Sequence, residues 1–127
     1  MPEKHLYEYA VIRIVPRVER EEFINAGVIM YCATLRFLDV KCMLPKERLK
    51  AFGRVLDITE IEIRLKAFEQ VCKGGRDGGP IGQLSQAARF RWLTASRSTV
   101  VQTSKVHPGL CTDAVLTLEI LYNKLVL

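Results

Sequence analysis

The chain has 127 residues, about one domain's worth, with 49% apolar and 26% charged residues. That balance excludes intrinsic disorder, and no apolar run approaches the about 18 residues of a membrane span. Nineteen Lys and Arg against fourteen Asp and Glu leave a net charge of +5, which permits phosphate-bearing partners without requiring them.

Tyr7 to Val15 reads as a first strand, rich in Tyr, Val and Ile and apolar on both faces. Pro16 should end it, because proline cannot donate to a ladder. Arg17-Val18-Glu19-Arg20-Glu21-Glu22 is a charged run expected to form a turn of helix or a bulged loop. Gly27, which supplies a bulge or a positive φ, opens a second strand over Val28 to Ala33. After a turn at Thr34-Leu35, Arg36 to Leu44 alternates. Leu38, Val40, Cys42 and Leu44 share one face, and Asp39 and Lys41 the other, as in a half-buried hairpin strand.

Pro45 begins a short helix with Leu49 and Phe52 on one side. Ile58, Ile61, Leu65, Phe68 and Cys72 recur at helical spacing and predict a longer amphipathic helix. Asp57 or Thr59 is its N-cap, and Thr59 with Glu62 fits a capping box. Residues 74–82 hold five of the eight glycines and read as a flexible loop. A short helical stretch over Leu84 to Ala88 leads to two expected strands, Phe90 to Ala95 and Thr99 to Thr103. His107-Pro108-Gly109 reads as a turn. Thr112 then caps a closing helix to Leu127, apolar around most of its circumference and so expected to be buried or to pack a partner. The sum is one α+β domain over residues 1–127: an antiparallel sheet of four to five strands with helices on one face.

Cys32, Cys42, Cys72 and Cys111 lack metal-knuckle spacing and imply neither metal nor cofactor. With no leader pattern before the first strand, they read as four reduced thiols of a cytoplasmic protein.

The segment Tyr7 to Ile29 carries a distinctive set: Arg13, Pro16-Arg17, Glu21-Glu22-Phe23, Asn25 and Gly27-Val28. It resembles the opening of the bacterial domain of unknown function 3037 family. The resemblance implies a small bacterial cytoplasmic protein with a HipA-like kinase as possible partner, and it transfers no catalytic residue.

Two clusters are candidate sites. Arg13 interrupts an apolar strand, and a guanidinium there needs a partner, with Glu22 expected first and Glu21 second. Arg13, Arg17, Glu22 and Asn25 could line a polar pocket for a small anionic or amide-bearing ligand, or could simply fix the loop. Between Gln83 and Thr112 lie four basic residues, Arg89, Arg91, Arg97 and Lys105, and no acidic one. On a strand, Arg89 and Arg91 would share a face opposite Phe90 and Trp92. Arginines with neighbouring hydroxyls suit phosphate, and exposed Trp92 would stack on bases; aromatics in the core with arginines in water fit equally well. Cys111 with His107 is a weak nucleophile pair. Three functions stay open: a non-catalytic protein-interaction or accessory module, a nucleic-acid or nucleotide-phosphate binder through residues 89–105, and an enzyme at the Arg13 cluster.

Overall fold

A computed structural model describes residues 3–17, 22–51, 57–97 and 99–127, the side chain of Arg17 excepted. Five strands form one antiparallel sheet: β1 (His5–Arg17), β2 (Glu22–Cys32), β3 (Phe37–Cys42), β4 (Val101–Thr103) and β5 (His107–Cys111). The order is β3-β2-β1-β4, and β5 also pairs with β1. β4 lies opposite Ile12–Ile14 and β5 opposite His5–Tyr9, so the two are successive halves of one edge.

The α+β class and the antiparallel sheet stand. The helices, expected on one face, cover both. Side chains alternate across a strand, so Ala10, Ile12 and Ile14 face one way and Tyr7 the other. The first face, with Ile24 and Ile29 of β2, is covered by α2 (Ile58–Lys73) through Ile61, Leu65, Phe68, Val71 and Cys72, and by α4 (Gln86–Leu93) through Phe90 and Leu93. The second face, with Val28, Met30 and Cys32, is covered by α5 (Ala114–Leu125) through Ala114, Leu118 and Tyr122. Sequence patterning missed the second layer because Asp39 and Lys41 made that face of β3 look solvated. In the fold Lys41 reaches across it, pairing with Glu119 at 3.2 Å and standing over the Tyr122 ring.

Several boundaries moved for local reasons. β1 runs through Pro16 to Arg17, with a register irregularity between Ile14 and Arg17 that tolerates the missing N–H. β2 begins at Glu22, earlier than its apolar run, while residues 18–21 of the charged run lie outside the described residues. A bulge between Ile12 and Arg13 falls beside Gly27, whose φ is not positive. Glycine is required there by close approach: a Cβ would stand 2.4 Å from Cys42 Cβ and 2.7 Å from the Lys41 carbonyl.

α1 (Lys46–Lys50) buries Leu49 as expected, and Phe52 lies outside the described residues. Asp57 caps α2, accepting from the Glu60 N–H at 3.0 Å, and Asp113, one residue beyond the expected Thr112, caps α5 from Leu116 N–H. The glycine-rich segment holds a 3₁₀ turn (Arg76–Gly78) and a one-turn helix, α3 (Gly79–Gly82). The expected strand at Phe90 to Ala95 is instead the last turns of α4 and the residues after it. Only Val101–Thr103 of the next expected strand pairs. The expected turn at His107 is β5, where Pro108 suits an edge.

Candidate functional site

The helical course of α4 decides where the basic stretch points. Ser85 accepts from Ala88 N–H and starts the helix, and its period then turns Arg89 inward and Arg91 and Trp92 outward. Arg89 is buried at 8% exposure and donates from Nη1 to the carbonyls of Cys72 (3.0 Å) and Val71 (3.4 Å). Both lie at the end of α2, where the Val71 carbonyl also accepts from the Gly74 N–H at 3.1 Å, and the cation matches the negative end of the helix dipole. The fit is close: at Gly74, where φ is +79°, a Cβ would fall 2.0 Å from Arg89 Nη1.

Arg91 forms a two-pronged pair with Glu8, at 3.0 and 2.8 Å, which raises its own proton affinity further. Arg97 stacks 4.0 Å over the Trp92 ring and donates to the Trp92 carbonyl. Lys105 is exposed on the segment between β4 and β5. The four cations therefore do not form the single patch that a strand would have made.

What the fold does assemble is a groove of about 200 Å³ between α2, α4 and the start of β4. Phe68, Val71, Leu93 and Val101 give it an apolar floor, and Trp92, Arg97, Arg64 and Thr99 form its polar rim. Arg64 is half-committed, bonded to Glu60 at 3.1 Å. Two basic-stretch residues, Trp92 and Arg97, thus meet a guanidinium from α2 that sequence reasoning passed over. On sequence, Arg64 four residues after Glu60 reads as an ordinary exposed helix pair.

The first cluster is also brought together. Arg13 lies opposite Asn25 and Arg17 opposite Glu22 in the β1–β2 ladder. The Arg13 guanidinium stands 4.0 Å over the Phe23 ring. Asn25 Nδ2 donates to the Leu125 carbonyl at 3.0 Å, and Arg48 donates to the Val126 carbonyl at 3.2 Å. Both bonds hold the C-terminal end of α5. Among the described residues, Arg13 Nε and Asn25 Oδ1 are buried without a hydrogen-bond partner.

Within this pattern Asn25 thus ties the bulged β1–β2 ladder to the end of α5. The family described as "Protein of unknown function (DUF3037)" matches residues 9–126. The chain belongs to that family. No curated protein and no solved structure matches it.

In this DUF3037 chain all four cysteines are free. Burial first, then the hydrogen bond to Glu69, pushes the Cys42 thiol up to about 12. Burial, then the charge of Asp39, pushes Cys72 up to about 12. Burial likewise raises Cys111. A protonated thiol is a poor nucleophile, so none of these three is poised to attack near neutral pH. Cys111 and His107 sit on one strand four residues apart, about 13 Å by strand rise, too far to act as a pair. His107 packs instead against Tyr9, with ring centroids 5.3 Å apart. Among the described residues no group of three or more His, Cys, Asp or Glu is placed to hold a metal ion.

Proposed function

We propose that this DUF3037 chain is a non-catalytic interaction module that docks a partner protein through the outer face of α5. The observation that carries the reading is the residue distribution on that helix. Its inner face is used on the sheet, yet Leu116 and Ile120, one turn apart on the opposite side, are each 54% exposed. Val115 in the first turn and Leu127 beyond the last are more exposed still. Scattered surface leucines are ordinary, but an apolar row along one helix face is the form used to enter a partner's groove. Lys124 and the Lys41–Glu119 pair supply a polar rim. A kinase of the HipA-like kind, implied by the family resemblance, is the partner to test first, and the protein would act as its accessory.

The test mixes the purified chain with that kinase and measures complex mass by light scattering after size exclusion. The wild type should form a stoichiometric complex, and the double substitution Leu116→Glu with Ile120→Glu should abolish it while the far-UV circular dichroism stays unchanged. A double variant that still binds, or a wild type that remains apart at tens of micromolar, ends the proposal.

A further inference from the structure

We infer that the groove between α2, α4 and β4 binds a small monocarboxylate with an aromatic or branched apolar body, the carboxylate on Arg97 and the body over Phe68, Val71, Leu93 and Val101. This site is separate from the outer face of α5 and stands whether or not that face docks a partner.

Size, lining and charge converge on that ligand class. A cavity near 150 Å³ holds a benzene ring, so about 200 Å³ accommodates a ring with a short acidic tail. The floor is built from four apolar side chains contributed by three elements that the core fixes, so it is formed before any ligand arrives. Arg97 is held at the rim by stacking on Trp92 and by one bond from Nη2 to the Trp92 carbonyl. Its remaining N–H groups are a preoriented fork for a carboxylate.

The charge count selects the valence. Arg64 and Arg97 bring two positive charges and Glu60, which pairs with Arg64 beside the rim, one negative, so the described residues there carry a net charge of +1. That balances a monoanion and leaves a dianionic phosphate under-compensated in a partly desolvated site. Thr99 offers a hydroxyl at the same rim, although its Oγ1 already donates to the Val101 carbonyl at 2.6 Å and is left as an acceptor. An acceptor beside the cation suits a second, protonated group on the ligand, such as an α-hydroxyl.

Trp92 is the only tryptophan of the chain, so fluorescence excited at the red edge, where the four tyrosines do not absorb, reports on this groove. The probe is 3-phenylpropionate, titrated into the full chain and followed by fluorescence and, independently, by calorimetry. The wild type should give a saturable change in both. Arg97→Gln should weaken calorimetric affinity about tenfold or more, since a charge-assisted fork is lost. Lys105→Gln, which lies outside the groove, should match the wild type. The neutral analogue 3-phenylpropanol should bind at least about tenfold more weakly than the acid. Silence in both readouts up to about 10 mM would overturn the site. Equal affinity for the alcohol, or an unchanged Arg97→Gln variant, would overturn the role of Arg97. Phenyl phosphate or a single-stranded oligonucleotide binding more tightly than the acid would overturn the monocarboxylate assignment.

Discussion

Ser104 occupies the gap between β4 and β5, where the edge strand would otherwise lose its ladder with β1. Its Oγ accepts from the Val11 N–H at 2.9 Å and its own N–H donates to the Val11 carbonyl at 2.8 Å. The hydroxyl proton goes on to the Lys105 carbonyl at 2.9 Å. A side-chain oxygen thus stands in for the backbone acceptor, and Val11 is buried in a central strand where water cannot replace it. Ser104→Ala should therefore lower the unfolding free energy by about 1–3 kcal/mol, read from urea midpoints at constant m. Ser104→Thr keeps the oxygen and should recover most of that loss. An alanine variant as stable as wild type would show that Val11 finds another acceptor. Gly27 is a second residue on which one atom decides. Gly27→Ala places a methyl into Cys42 and the Lys41 carbonyl, and thermal melts should show a loss well beyond the about 1 kcal/mol typical of a point substitution.

At the scale of elements, the join between α2 and α4 rests on Arg89. Replacing it with methionine keeps the aliphatic stem and removes the donor to the Cys72 carbonyl at a buried helix end, while the Val71 carbonyl keeps the Gly74 N–H at 3.1 Å. Arg89→Met should cost about 1–3 kcal/mol and raise amide exchange first in the last turn of α2. Uniform exchange across the chain would instead mean that α2 and α4 open only with the whole fold. The same pair of helices shows what the sequence could convey. α2 was readable because five apolar residues repeat at helical spacing and an Asp precedes them. α4 was not, because Arg89-Phe90-Arg91-Trp92 alternates with period two and mimics a strand. The decision belonged to contacts distant in sequence: the α2 carbonyls that take Arg89 and the Tyr31 ring that meets Phe90 at 5.4 Å. The candidate groove divides in the same way. Trp92 and Arg97 stood out as a basic aromatic stretch, whereas Arg64 joins them only once α2 packs beside α4. Arg13 was legible as a cation needing a partner. That the Phe23 ring lies under it depended on side-chain direction at a bulge, which no spacing encodes.

At the scale of the molecule, the layering controls how stability responds to alkali. Cys42 on β3 and Cys72 on α2 meet where the sheet is covered by α2, and burial is the largest cause of both raised thiols, from 9.0 to about 12. Asp39 and Glu69 add to the effect, while Arg89 and Lys73 oppose it at Cys72. Unfolding returns each thiol to its ordinary value. Between about pH 9 and about pH 12 the unfolded chain has released these protons and the folded chain has kept them, so the folded state binds more protons and stability must fall as pH rises. The contribution is complete below about pH 9 and is lost progressively up to about pH 12. Lysines and tyrosines titrate over the same range, so the test compares slopes. The double variant Cys42→Ala with Cys72→Ala is less stable throughout because it leaves small cavities, but its decline above pH 9 should be shallower than that of the wild type. Iodoacetamide offers a second reading, because only a thiolate is alkylated. At pH 8 both native thiols should react far more slowly than in urea, the buried Cys72 at a rate set by opening of the α2 layer and the half-buried Cys42 at one set by its raised proton affinity. Parallel alkaline limbs for the two proteins, together with rapid labelling of the native chain, would place both thiols outside the layer that the fold assigns them to.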